Sequence, residues 1–353
     1  MNPRCYLEIS RSAFAHNVKQ AKRLLAGDAA LMVAIKSEAY GHGLPELAEL
    51  AVKSGADALA VLDIDTGVAL REYVGSTPLL CWLHSPHSDF GAAARSGLDV
   101  GISGAWQLER LVEQAPGLNS RVHLKIDTGL HRNGALEQDW PHLVQQARQR
   151  EMEGHITVVG IWSHLADTSV EEDARALEKF HNAVAIAREA GLAPSLLHIA
   201  ASAAAADAPE TRLDLVRIGI IAYGVSPFDD RTASDLGFRP VMAAKARVMK
   251  VDEAAGTAEI GMGFTDGLLP PTLVAGWVRY AHHTFAIDSV EAEHIVVRSD
   301  GVPLPEVGSV ITLWGDEAGG SPLAEDWASW AGTIGDEIVA SLNTRVPRVF
   351  IDD

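Results

Sequence analysis

Cysteine is almost absent from this chain. Cys5 and Cys81 are the two in 353 residues, widely separated and without metal-ligand spacing, so neither a disulfide framework nor a metal site has support. A reducing cytoplasm is the expected location. Basic charge is also short: 29 Lys and Arg stand against 47 Asp and Glu, for a net charge of −18. Such a chain is repelled by polyanions and acidic membranes, which argues against a nucleic-acid or lipid partner. The opening "MNPRCYLEIS" has no basic segment followed by an apolar run, and no apolar stretch approaches the ~20 residues that span a bilayer. No targeting or membrane segment is expected. Internal repeats and low-complexity tracts are missing as well. What remains is 47% hydrophobic and 22% charged, ample for a sizeable core in one large domain and a smaller one.

From about residue 30 to 224, short leucine-rich or β-branched runs alternate with alanine-rich, charged segments of helical spacing. The runs are 31–36, 58–62, 78–82, 98–102, 121–127, 157–163, 195–200 and 215–220. About eight strand–helix units in a couple of hundred residues is the count of a (β/α)₈ barrel. A doubly wound sheet is the alternative, disfavoured by the unbroken rhythm and by the lack of a G-x-G-x-x-G turn. After "YGVSPFDD" (223–230) the pattern changes to short strands, then a helical stretch over 323–342 and a last strand in "RVPRVFI". The expected organisation is a barrel over 11–230, with 1–10 and 231–353 forming a mostly-β domain.

Chemistry in such a barrel gathers at the C-terminal ends of the strands. Lys36 stands there, at the end of "VAIK", and so do Lys125, Asp127, His164, His198, Ser202 and Arg217. A lysine at the barrel mouth, with an anion-binding stretch such as "VRIGIIAYG" (216–224) on the last strand, suits a Schiff-base cofactor held by its phosphate. Pyridoxal 5'-phosphate is the expected cofactor.

Seven stretches, in order along nearly the whole chain, carry a family resemblance: "AIKSEAYGHG" (34–43), "HLKIDTGLHRNG" (123–134), "SHLADT" (163–168), "HIAASAA" (198–204), "LVRIGIIAYGVSP" (215–227), "GFTDG" (263–267) and "TRVPRVF" (344–350). The sequence resembles the alanine racemase family, pyridoxal-phosphate enzymes with an N-terminal barrel and a C-terminal β domain. The resemblance implies that Lys36 forms the internal aldimine and acts as one acid/base. It also implies Tyr40, Ser202 and the backbone N–H groups of Gly219 and Ile220 at the phosphate. Arg132 falls near the ring oxygen, Arg217 at the pyridine nitrogen with His164 as its partner, and Lys125 at the lysine that many relatives carbamylate. It implies a homodimer whose β domains complete each other's sites.

The same alignment of motifs marks departures. The family's second base is the tyrosine of G-Y-x-D-G, and here Phe264 has no proton to exchange. The family's M-D pair becomes Ile287-Asp288, and T-I-N-Y-E becomes "TIGDE", placing Asp336 where a phosphate-contacting tyrosine is expected. The tyrosine-rich segment before Gly263 is shortened. These four changes lie on the substrate side, so the expectation is a racemase or epimerase for an amino acid larger than alanine, with Asp336 as the candidate replacement base or as a ligand for a cationic substrate group. One-base lyase or aldolase chemistry, or a cofactor-binding homologue without catalysis, are the alternatives.

Overall fold

The computed structural model describes residues 3–272, 275–315 and 318–352, and the chain forms two compact units. One comprises Val18–Lys36 and Ala48–Gly219; the other comprises Met1–Asn17, Ser37–Leu47 and Ile220–Asp353. The N-terminal strand β1 (Cys5–Ser10) belongs to the latter.

The first unit is built on β2 (Ala30–Ala34), β3 (Ala58–Val61), β4 (Leu79–Cys81), β5 (Asp99–Ile102), β6 (Ser120–Lys125), β7 (Ile156–Trp162), β8 (Leu196–His198) and β9 (Leu215–Ile218). All are parallel and paired in the order β8-β7-β6-β5-β4-β3-β2-β9. The sheet curls until its edges meet: Arg217 N donates to Ala200 O at 3.2 Å, and Asp214 N donates to Leu197 O at 3.1 Å. All eight expected strands are present, and β3, β4, β5 and β9 are buried at every residue. Helices cover one face and the barrel interior the other, which is why these runs read as continuous apolar segments. Met32, Ala58, Ala60, Leu80 and Leu215 form one packed interior cluster, a filled core rather than a pore.

The second unit contains β1 and β10 (Met242–Asp252), β11 (Thr257–Ile260), β12 (Trp277–Tyr280), β13 (His283–Val290), β14 (Ile295–Arg298), β15 (Val310–Trp314) and β16 (Arg348–Ile351). They form one sheet ordered β11-β14-β13-β12-β15-β10-β1-β16, antiparallel except for the parallel pair β1 and β16. Three features differ from the sequence reading, one of them the strand β13, which it did not include. The expected helix over 323–342 is two helices, Ala324–Ala331 and Gly335–Ala340, because Gly332 takes a left-handed conformation (φ 73°) that ends the first. The run "PTLVAGWVRYA" is a strand only at Trp277–Tyr280; its Leu273 and Val274 lie outside the described residues. Among the described residues no helix is long and apolar enough to cross a membrane.

Candidate active site

Within the barrel unit the sequence-expected residues collect at one end of the strands. Lys36 follows β2, Lys125 ends β6, His164 follows β7, Ser202 follows β8, and Arg217 lies near the end of β9 with Gly219 just beyond. β2 and β9 are neighbours in register, Val33 opposite Ile218, so Lys36 and Gly219 leave the sheet from adjacent strand ends. Ser202 Oγ accepts the Gly219 N–H at 3.2 Å. Its own hydroxyl hydrogen is then available to an anion.

Arg217 is buried and surrounded by acceptors. Its Nη2 donates to Ser163 O at 2.8 Å, Ile199 O at 3.0 Å and His164 Nδ1 at 3.1 Å, while Nη1 donates to His198 Nδ1 at 3.0 Å. Burial pushes its pKa down to about 9, which still leaves it charged at neutral pH. His164 is held well below the usual histidine range, first by burial and then by four cations: Arg217, Arg132, Lys125 and Lys36. Lys125 is pushed down to about 7 by burial and by Arg217 and Arg132, against a smaller opposing pull from Asp127. A cluster of four cations beside a neutral imidazole has the electrostatics of a site for an anionic group.

Arg132 is exposed on a loop that Asp127 shapes: its carboxylate accepts from Gly129 N at 3.0 Å, His131 N at 3.1 Å and His131 Nδ1 at 3.1 Å. Gly134 (φ 133°) lets the loop close on Asp127, since a Cβ there would lie 2.7 Å from Asp127 N.

In the second unit Tyr40 closes an unusual turn. Ser37, Glu38, Ala39 and Tyr40 all have φ between 52° and 55°, four consecutive left-handed residues without a glycine. Each costs roughly 1–2 kcal/mol relative to right-handed backbone, so the turn exists because its surroundings impose it. Gly41 N donates to Ser37 O and Gly43 N to Glu38 O, both at 2.9 Å. The buried His42 ring binds Ala39 O at 3.0 Å and Tyr40 O at 2.9 Å through Nδ1. Tyr223 packs on both, with ring centres 4.9 Å from Tyr40 and 4.8 Å from His42. Tyr223 ends the short turn Ile220–Tyr223, whose first residue Ile220 is buried.

Burial, and then the charge of Asp336, push the Tyr40 phenol upward, so its O–H remains a donor. Asp336 sits in the first turn of the helix Gly335–Ala340.

Phe264 is 55% exposed. It begins the short turn Phe264–Asp266, pinned by Asp266, which accepts from Gly263 N at 3.0 Å and is clamped by both terminal nitrogens of Arg4 at 2.8 Å. Ile287 and Asp288 lie on β13 and line a cavity of about 220 Å³ with Pro270, Pro271 and Thr272. Asp288 is exposed and ion-paired with Arg298. The sequence reading missed Trp162, whose ring lies beneath Lys125 and Arg217, and Tyr223 and His42, which hold the Tyr40 turn.

A closed parallel barrel whose strand ends present a lysine, a buried guanidinium and a serine–glycine anion cradle defines the barrel class of pyridoxal-phosphate-dependent enzymes. The comparisons with known proteins narrow this. Residues 9–227 match the model of the alanine racemase N-terminal domain, and residues 244–350 that of the alanine racemase C-terminal domain. The chain is 36% identical over 351 residues to an alanine racemase of Salinispora tropica, covering 93% of this chain and 94% of that one. It is 36% identical over 379 residues to one of Streptomyces coelicolor, covering 99% and 96%. Among solved structures it is similar to alanine racemase from D-cycloserine-producing Streptomyces lavendulae (TM-score 0.95, 34% identity, covering 100% of this chain and 98% of that one). It is also similar to that of Corynebacterium glutamicum (TM-score 0.90, 29% identity, covering 99% and 100%). The chain belongs to the alanine racemase family and is a pyridoxal-phosphate-dependent racemase.

Proposed function

We propose that this racemase exchanges the proton on Cα of an amino acid at Lys36. The observation that supports this best is the placement of Lys36, Lys125, His164, Arg217 and the Ser202–Gly219 pair at one end of the barrel strands. The bound cofactor supplies an electron sink for the carbanion left when the Cα–H bond breaks. Lys36 would hold the cofactor covalently, and its amine would carry the proton on its own face of the substrate. The Ser202 hydroxyl and the Gly219 backbone N–H would hold the phosphate, and the family resemblance assigns Tyr40 and the Ile220 N–H to the same group. Arg132 serves the ring oxygen. Arg217, hydrogen-bonded to His164, would serve the pyridine nitrogen, and because a guanidinium keeps its proton it would leave that nitrogen unprotonated and the electron sink weak.

For the opposite face we assign Asp336 as the acid/base candidate, because Phe264 has no ionisable proton. The substrate is an amino acid larger than alanine. That reading rests on the departures at Phe264, Ile287 and Asp336 alone; the relatives are named for alanine and lend it no support. The enzyme works as a homodimer in which Phe264, Ile287 and Asp288 are presented to the partner's cofactor site. The exposure of the Phe264 ring supports this arrangement. Its location is the cytoplasm, consistent with two unpaired cysteines.

Borohydride reduction followed by peptide mass mapping should fix the cofactor to the Lys36 peptide. A panel of amino acids, alanine included, should then show Cα–H exchange in deuterated water together with loss of optical rotation. Exchange without racemisation would replace the two-face reading by one-base chemistry. Absence of exchange with every amino acid would overturn the reading. Light scattering at micromolar concentration should give twice the chain mass, and an active monomer would overturn the shared site.

A further inference from the structure

We propose that Asp99, His123 and His198 form a buried hydrogen-bond relay, running from the opposite end of the barrel strands, that fixes the orientation of Arg217. The inference rests on Arg217 serving the cofactor ring as proposed above. Arg217 is buried, and its hydrogen-bond partners among the described residues are carbonyls and imidazoles, not a carboxylate. Its Nη1 donates to His198 Nδ1 at 3.0 Å; His198 Nε2 lies 2.9 Å from His123 Nδ1; and His123 Nε2 lies 3.2 Å from Asp99 Oδ2. Both rings are completely buried. The chain of contacts climbs from the first residue of β5, through the middle of β6, to the end of β8 and then β9. At the foot Arg121 clamps Asp99 with two bonds, Nε at 2.7 Å and Nη2 at 3.0 Å.

The direction of every proton in this line follows from its two ends. A guanidinium has donors alone, so His198 Nδ1 must accept. The His198 proton is therefore on Nε2 and is donated to His123 Nδ1. The His123 proton is then on Nε2, where the ionised Asp99 accepts it. An imidazolium at His123, or a neutral ring with its proton on Nδ1, would turn His198 round and set an N–H against an N–H of Arg217. The donor-only guanidinium at one end and the acceptor-only carboxylate at the other thus demand the same tautomer at each ring.

The backbone is arranged for this line. His123 pairs with Gly160 on β7, and a Cβ at Gly160 would lie 2.3 Å from His123 Nδ1, the atom that receives the His198 proton. His198 is stacked on Trp162, with ring centres 5.6 Å apart and planes 8° from parallel, which fixes its plane. Asp99, His123 and His198 are positioning residues; Arg217 is the group that meets the cofactor.

The experiment is nitrogen-15 NMR of the histidine rings in the unloaded protein, comparing the parent with D99N. In the parent, His123 and His198 should both appear as neutral rings protonated on Nε2 alone. In D99N a neutral amide replaces the carboxylate that accepts the His123 Nε2–H, so the His123 ring nitrogen shifts should move, while Arg217 still keeps His198 Nδ1 an acceptor. The loaded D99N enzyme should lose on the order of 10–100-fold in kcat, the range seen when a second-sphere partner is removed. The cofactor should still be trapped on Lys36. A parent His198 protonated on Nδ1 would overturn the relay whether or not the variant folds. Unchanged His123 ring shifts in a folded D99N, with kcat equal to the parent's, would overturn it too. Failure of borohydride to trap the cofactor on Lys36 would strike at the proposed function instead, and the ring protonation in the unloaded protein would still decide the relay.

Discussion

The Lys125 ammonium nitrogen lies 4.3 Å from the centre of the Trp162 ring, and the guanidinium carbon of Arg217 lies 5.1 Å from the same ring. One aromatic face serves two cations. Its attraction favours the charged form of both, yet burial and the neighbouring guanidinium groups still bring Lys125 down to about 7. At neutral pH a large share of Lys125 is therefore a free amine, and its chemistry and its contribution to stability both follow from that.

In carbonate-free buffer the folded Lys125 titrates below its unfolded value of 10.5. Between those two values the unfolded chain binds more protons, so stability should rise with pH across roughly 7 to 10.5 from this group. Below the folded value the full cost of charging a buried amine is present. Urea unfolding of the parent and K125M across this window checks it: the parent should gain on the variant as pH rises, and parallel curves would contradict the assignment.

A free amine beside Arg217 and Arg132 should add carbon dioxide, losing a proton to give a carbamate whose negative charge those guanidinium groups would offset. Protein equilibrated with carbon-13 bicarbonate should show one slowly exchanging carbamate resonance. K125M should lack it.

Ser202→Ala removes the hydroxyl that accepts the Gly219 N–H and, as proposed, donates to the phosphate. The loss of one hydrogen bond to a charged group corresponds to about 1.5–3 kcal/mol, or roughly 10–150-fold in cofactor Kd. Fluorescence titration of the unloaded protein with pyridoxal phosphate reads this, and a Kd equal to the parent's would remove Ser202 from the phosphate site.

Phe264→Tyr restores a phenol to the position where the family carries its second base. A correctly positioned acid/base contributes about 10²–10⁴-fold. We expect less than a tenfold gain in alanine racemisation, because Ile287 and Asp336 also depart from the family pattern, and proton transfer needs near hydrogen-bond contact. A gain of a hundredfold would show that the pocket is still shaped for alanine.

Gly41→Ala tests the turn after Lys36. Gly41 has φ 78°, and a Cβ there would sit 2.3 Å from the carbonyl oxygen of Val339. The left-handed backbone and the overlap together should cost at least about 2 kcal/mol, visible as a lowered Tm. An unchanged Tm would mean that the Val339 segment yields freely.

The barrel strands were legible because most of their residues are buried, β3, β4, β5 and β9 throughout, and so form apolar runs, and the site lysine because it interrupts such a run at its end. β13 was not legible: Phe285 is its one fully buried residue, and a strand half-open on both sides carries no clear alternation. The left-handed course of "SEAY" after Lys36 was not legible, because His42, Tyr223 and Val339 impose it and no local pattern encodes them. His123 looked like an ordinary residue of a strand. Its partners stand 24 positions before it and 75 after it, so its role follows from strand order around the barrel rather than from spacing.

Each compact unit happens to contain one thiol. Cys5 lies in β1 and Cys81 in β4, both buried, and burial raises both above the usual thiol range, Cys5 to about 11. A protonated, enclosed sulfur does not react with alkylating reagents until its strand opens. The rate of trapping each cysteine is thus a clock for the opening of its own unit, read separately by mass spectrometry without any introduced label. Adding cofactor before trapping would then show which unit it slows, and by how much, in the unmodified enzyme.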